Sequence, residues 1–113
     1  MDVSRIDMSV VDELVSIMED EFPKLVTSYL SNTEQLLLKM SDQLRSKDQD
    51  GFILSIHSLK GSCRNMGAEY MSELCLRDEK LARSGKMEEI DPQLSDIKFE
   101  FEKVHSYFSK MIV

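Results

Sequence analysis

Apolar residues recur at intervals of three and four positions along almost the whole sequence, and no segment alternates apolar and polar residues as a strand does. Each such segment can form a helix whose apolar face must pack against another helix. We therefore expect an all-α protein, an antiparallel up-down-up-down four-helix bundle with a short N-terminal helix covering one end. The bundle helices are predicted at roughly 23–47, 50–66, 68–84 and 91–112, and the short helix at roughly 9–21.

Caps, prolines and glycines mark the predicted helix ends. Ser9 is expected to cap the first helix. Gly67 and Gly85 are placed to end the third and fourth helices as left-handed residues. Asp91 followed by Pro92 is typical of a cap and a first-turn proline, and predicts the start of the last helix. The 113 residues are enough for one domain spanning 1–113.

Charge and composition exclude several classes of function. The formal net charge is −7, whereas nucleic-acid binders and proteins on anionic membranes need a basic face. No apolar stretch approaches the roughly 20 residues of a membrane span, and the N-terminus lacks the pattern of a signal peptide. Cys63 and Cys75 lie within apolar helical patterns and are expected to be reduced core thiols. We expect a cytoplasmic protein that binds neither nucleic acid nor membrane.

The third predicted helix presents a histidine to solvent. Its core stripe falls within a sector of about 80° on a helical wheel: Phe52, Ile56, Leu59, Cys63 and Met66. His57 lies roughly 130° from the centre of that stripe and should face water. Three residues near it on the wheel suit phosphate chemistry: Lys60, Gly61 and Arg64. The neutral imidazole of His57 is a nucleophile, and the cations Lys60 and Arg64 can neutralise the charge of a phosphoryl group. Gly61 has no side chain, so a partner protein can approach the helix closely there.

Ile53 and Leu54 flank the same face one turn earlier and predict a docking surface for another protein. From the residues alone, other interpretations remain open. His57 could be an ordinary surface histidine, and Gly61 could be a packing glycine that contacts another helix. His105 borders the apolar seam of the last helix and is assigned a structural role.

The segment 56–75, IHSLKGSCRNMGAEYMSELC, resembles the signature of the histidine phosphotransfer (HPt) family, especially its free-standing bacterial members. The family pattern reads H-x-L-K-G-S-x-x-N-x-G-A, followed by Leu-Cys and a Glu in the next helix. The matching residues are His57, Leu59, Lys60, Gly61, Ser62, Asn65, Gly67, Ala68, Leu74, Cys75, Glu79, Arg83 and Gly85. The earlier MEDEFPKLVTSYLSN is also similar to the family's lead-in helices, so the resemblance covers nearly the whole chain.

This resemblance implies a phosphorelay intermediate without kinase activity of its own. His57 would accept phosphate on Nε2, Lys60 would assist through its charge, and Gly61 would leave room for the partner. The implied partners are the receiver domain of a hybrid sensor histidine kinase and that of a response regulator. The implied Mg²⁺ belongs to the receiver's acidic pocket, so no cofactor and no metal site are expected here. The chain is expected to be a monomer.

Two alternatives to phosphotransfer are compatible with a helical bundle of this kind. The chain could be a helical binding module that docks on a receiver domain or kinase without being phosphorylated, although such a binder would not need the histidine. A di-metal bundle is disfavoured because the chain has no inward-facing Glu-x-x-His pairs.

Two positions depart from the family pattern, Ile56 where alanine is common and Asp78 where leucine is usual. Asp78 falls on an apolar stripe and is expected to reach solvent or a basic partner.

Overall fold

The computed structural model describes residues 5–112. It contains five α-helices: α1 (Met8–Met18), α2 (Phe22–Arg45), α3 (Gln49–Asn65), α4 (Glu69–Arg83) and α5 (Ser95–Met111). Short 3-10 turns follow α1 at Glu19–Glu21 and precede α5 at Met87–Glu89. The one β-type pairing within 5–112 is an isolated bridge between Ile6 and Ala68, so the all-α prediction is confirmed.

Neighbouring helices of the bundle are antiparallel. Lys98 Nζ near the start of α5 lies 3.3 Å from Ser41 Oγ near the end of α2. Further along α5, His105 Nε2 lies 3.7 Å from Glu34 Oε1, closer to the start of α2. Connections of three residues join α2 to α3 and α3 to α4, and loops this short require antiparallel neighbours. The predicted up-down-up-down bundle is confirmed.

The apolar stripe of α3 forms part of one continuous core. Four of its residues are completely buried and the fifth nearly so: Phe52, Ile56, Leu59, Cys63 and Met66. Both cysteines are free and buried. Tyr29 donates its hydroxyl to Cys63 Sγ at 3.3 Å, which satisfies the one polar group of this large core side chain.

The short helix α1 covers the end of the bundle where α3 turns into α4. The Asp7 N–H donates to the carbonyl of Gly67 at 2.8 Å, and Val11 is buried. Gly67 has φ +82°, as predicted for a helix-ending glycine. The expected cap at Ser9 is wrong: the Asp7 carboxylate accepts the backbone N–H of Ser9 and caps α1 two residues earlier. The helix also stops at Met18, because Glu19 adopts a positive φ of 48°.

The last helix begins four residues later than Asp91 and Pro92 predict. The Asp91 carboxylate accepts the N–H groups of Gln93 and Ser95, but these bonds close a turn that precedes α5. Leu94 is left-handed, with φ 52°, and its side chain is buried. A right-handed helix does not allow this left-handed backbone conformation. Because the buried Leu94 adopts it, α5 begins at the next residue, Ser95.

Asp78 is buried, so the expectation that it reaches solvent is wrong. The alternative expectation, a basic partner, is confirmed: Arg77 Nε donates to Asp78 Oδ1 at 3.1 Å and its guanidinium extends to Asp96. Burial raises the pKa of Asp78 despite this bond.

Among residues 5–112, no helix combines the length and the hydrophobicity needed to cross a membrane.

Candidate functional site

His57 stands on the outer face of α3 with 61% of its side chain exposed. The predicted solvent-facing position is confirmed. Its Nδ1 lies 2.9 Å from Glu79 Oε2, which reaches across from α4. Within the described part of the chain, no hydrogen-bonding group reaches Nε2. One ring nitrogen is therefore held by the protein and the other faces water.

Glu79 is the buried centre of this site. Its side chain is only 4% exposed, and it accepts from three basic side chains. Lys60 Nζ approaches Oε1 at 2.7 Å, while Arg83 contacts Oε2 through two nitrogens at 2.8 and 3.0 Å. Burial alone would raise the pKa of Glu79, but hydrogen bonds from Lys60, Arg83 and His57 outweigh it and lower the pKa to about 2. The carboxylate is ionised at neutral pH.

An ionised carboxylate at Nδ1 determines which nitrogen of His57 can react. A carboxylate only accepts hydrogen bonds, so Nδ1 of the neutral imidazole must carry the proton. The lone pair then lies on Nε2, which points to solvent. Positive charge that develops on the ring after Nε2 forms a bond would be stabilised by Glu79. This arrangement prepares Nε2 as a nucleophile with no proton to remove.

Lys60 is closer to α4 than the wheel implies. Only 16% of its side chain is exposed, because its ammonium group turns inward to Glu79. It nevertheless shares that carboxylate with His57, so the structure brings together the predicted nucleophile and the predicted cation. Arg83 adds a second cation from α4, with about half of its side chain exposed.

Gly61 has open space above it. A Cβ built at this position would meet no atom of the described residues within 4 Å, apart from its own helix and chain neighbours. The interpretation of Gly61 as a glycine that packs against another helix is therefore wrong. The helix surface one turn from His57 is bare and faces outward.

The other predicted site residues differ in placement. Leu54 is 74% exposed one turn before His57, whereas Ile53 is half-buried against the core. Arg64 is exposed and lines a depression beside the α3–α4 connection. Within residues 5–112 its side chain makes no hydrogen bond or ion pair, so it does not join the Glu79 cluster. His105 packs edge-on against Phe101 on α5, away from the site.

Glu79 and Arg83 are the residues of this cluster that helical periodicity did not reveal. Both belong to the family pattern that the sequence resembles, but a wheel for α4 does not show which helix Glu79 faces. Their spacing of four residues is a recognisable ion-pair signal on a single helix. Among the described residues, no group of three or more His, Cys, Asp and Glu side chains could hold a metal ion.

Comparison with known proteins identifies relatives with this architecture. A family model described as Hpt domain matches residues 24–107. The crystal structure of histidine-containing phosphotransfer protein B (HptB) from Pseudomonas aeruginosa PAO1 superposes with a TM-score of 0.92 at 28% identity, covering 96% of this chain and 94% of that chain. The match includes the N-terminal helix as well as the bundle.

Two curated relatives are signalling proteins. The chain is 35% identical over 75 residues to "Signal transduction histidine-protein kinase BarA" of Escherichia coli K12, covering 66% of this chain and 8% of the kinase. It is 28% identical over 92 residues to "Phosphorelay intermediate protein rdeA" of Dictyostelium discoideum, covering 80% of this chain and 36% of that protein. The chain thus spans only a small part of either relative.

Proposed function

Because the chain belongs to the family of Hpt domains, we propose that it is a phosphorelay intermediate that carries a phosphoryl group on His57. The group arrives from the phospho-aspartate of one receiver domain and leaves to the aspartate of another. The observation that carries this proposal is an exposed imidazole whose Nδ1 is held by a buried carboxylate at 2.9 Å.

Transfer to His57 needs no acid or base from this chain. The Nε2 lone pair attacks phosphorus in line with the bond to the donor aspartate. The N–P bond forms as the P–O bond breaks, and the donor leaves as a free carboxylate. The Nδ1 proton remains on the ring, which becomes cationic, and the Glu79 carboxylate stabilises that charge. The reverse sequence of bonds delivers the group to the acceptor.

The surroundings of His57 supply charge and access. Lys60 and Arg83 place two positive charges beside a group that carries about two negative charges as a phosphoryl. Gly61 leaves the approach to Nε2 open, and the exposed Leu54 offers an apolar contact beside it. Positioning and charge neutralisation account for most of the catalysis of phosphoryl transfer.

The partners follow from this chemistry. We assign the donor role to the receiver domain of a hybrid sensor histidine kinase and the acceptor role to that of a response regulator, both in the cytoplasm. Magnesium would be held by the receiver, and the carrier itself needs no cofactor. It has no kinase activity of its own, and a single copy supplies every residue of the site.

A binding module that is never phosphorylated is the second candidate, and the same geometry argues against it. Docking alone gives no reason to bury a carboxylate under an exposed histidine and to pair it with two further basic groups. The exposed imidazole makes no other contact with the described residues that would explain its presence.

Chemical and enzymatic labelling test the proposal. Phosphoramidate, a small donor that phosphorylates histidine, should label the wild type and His105→Gln but not His57→Gln. The same pattern should hold with phosphorylated receiver domains of the source organism. The bound phosphate should be acid-labile and alkali-stable, as expected for an N–P bond. Labelling that persists in His57→Gln and disappears in His105→Gln would refute the assignment.

A further inference from the structure

The two cations of the His57 site are bonded to Glu79 in different ways. Lys60 Nζ lies 2.7 Å from Oε1, and only 16% of the lysine side chain is exposed. Arg83 donates to Oε2 at 2.8 and 3.0 Å, and 55% of its side chain is exposed. Oε2 is also the oxygen that lies 2.9 Å from His57 Nδ1. The guanidinium group and the imidazole ring thus share one oxygen, whereas the ammonium group binds the oxygen that His57 does not use.

Arg83 has hydrogen-bond donors that remain unused. A guanidinium group carries five N–H bonds, and the Nε and Nη2 bonds to Oε2 use two of them. The other three have no acceptor among residues 5–112. Since about half of the side chain reaches water, these donors are available to a group that arrives from solvent. The fork of a guanidinium group also matches two oxygens of a phosphoryl group.

Lys60 is not available in the same way. It makes the one hydrogen bond that Glu79 Oε1 receives from the described residues, and the Glu79 side chain is only 4% exposed. If the ammonium group turned towards a phosphoryl group, Oε1 would keep its charge and lose its partner in a site that water hardly reaches. The buried carboxylate that orients His57 therefore also keeps Lys60 in place.

Phosphorylation of His57 would change the charges in a way that frees Arg83. With a phosphoryl group on Nε2 and a proton on Nδ1, the ring is cationic and its N–H donates a charge-assisted hydrogen bond to Oε2. Oε2 then keeps a strong partner when Arg83 turns outward. The phosphoryl group carries about two negative charges and is stabilised by a cation beside it. Arg83 can supply that cation while both oxygens of Glu79 stay bonded.

We propose that Arg83, and not Lys60, binds the phosphoryl group of phosphorylated His57, while Lys60 remains on Glu79. This assignment rests on the phosphotransfer function proposed above, and it identifies the side chain that contacts the transferred group. It differs from the role that the family resemblance implies for Lys60. Only hydrogen bonds move in this exchange, and the N–P bond stays intact.

Phosphorus NMR of the phosphorylated protein tests the assignment. Phosphoramidate labels the protein, and the chemical shift of the phosphohistidine is followed across the second ionisation of the phosphoryl group, which ordinarily occurs at about pH 6. A guanidinium group bound to the doubly charged form lowers the midpoint of this titration. Arg83→Gln should therefore raise the midpoint by about 0.5 pH unit or more. Lys60→Gln should raise it by less than half as much, because that charge lies on Glu79.

Glutamine removes the charge in both variants and keeps a hydrogen-bond donor, so both should fold, as circular dichroism can verify. Lys80→Gln is the matched control, since Lys80 is exposed on the same helix and makes no ion pair within residues 5–112. Its midpoint should equal that of the wild type. A smaller rise in Arg83→Gln, or a rise in Lys60→Gln of at least half that size, overturns the role of Arg83 alone. A wild type without a phosphohistidine signal refutes phosphotransfer and this assignment with it.

Discussion

The Glu79 carboxylate should stabilise the fold as well as orient His57, and Glu79→Gln tests how much. Glutamine keeps the size of the side chain and removes its charge. The pKa of Glu79 is about 2 in the folded protein, against 4.5 ordinarily. A difference of about 2.5 pKa units corresponds to about 3 kcal/mol between the two protonation states. Since Arg83 is half exposed and its bond is partly screened by solvent, we expect a loss of about 2–3 kcal/mol at pH 7.

The pH dependence has a defined sign. Because the folded pKa is lowered, the stabilisation is present above pH 4.5 and is lost as the pH falls from about 4.5 to about 2. At pH 3 roughly half of the difference between the wild type and Glu79→Gln should have disappeared. At pH 2 the wild-type side chain is half protonated, and little difference should remain.

Urea unfolding followed by circular dichroism at pH 7 and pH 3 measures this difference. Glu73→Gln is the control, because Glu73 lies on the same helix but is exposed. That change should alter the free energy of unfolding by less than about 0.5 kcal/mol at either pH. If the deficit of Glu79→Gln is the same at both pH values, it arises from packing and not from charge, and the electrostatic account of the site is refuted.

Four further variants test the site and the fold, the last of them as a control. Lys60→Ala should slow single-turnover transfer at saturating donor by about tenfold or more, while the loss of its bond to Glu79 lowers the free energy of unfolding by about 1–2 kcal/mol; an unchanged rate would remove Lys60 from the site. Gly61→Gln should preserve or slightly raise the melting temperature and sharply weaken transfer from a receiver domain, because a Cβ at this position meets no other part of the described structure within 4 Å. An early melt or a normal rate would contradict the docking role. Gly67→Ala should cost at least about 1–2 kcal/mol in urea unfolding, because φ is +82° and the new Cβ would lie 2.9 Å from the Asp7 carbonyl oxygen. Gly85→Ala shares the positive φ, but its Cβ would meet no atom of residues 5–112 within 4 Å apart from its chain neighbours. It should therefore cost less, and equal losses would show that the Asp7 contact does not matter.

Features that depend on a single helix could be predicted from the sequence. The buried stripe of α3 and the exposure of His57 both follow from the periodicity of one segment. The open space at Gly61 follows in the same way, because that residue shares the outer face. The match to the HPt pattern then assigned chemistry to the face.

Features that depend on two elements could not be derived from periodicity. The hydrogen bond between His57 and Glu79 depends on how α4 is rotated about its axis relative to α3. A helical wheel drawn for one helix carries no information about that rotation. The same rotation draws Lys60 inward, although its wheel position indicates solvent. The start of α5 was misplaced because Asp91 and Pro92 form a valid local signal, whereas burial of Leu94 against the bundle determines the backbone there.

The fixed ring of His57 has a consequence for the order of events in a relay. Among the described residues only Nε2 of its two ring nitrogens is without a hydrogen-bond partner, and Gly61 leaves open space one turn away. In the proposed relay, a donor and an acceptor receiver would both have to reach this one nitrogen, so they would bind in turn. Unphosphorylated receivers would then compete with the donor for an empty carrier, so abundant idle acceptors would slow the proposed flow of phosphate.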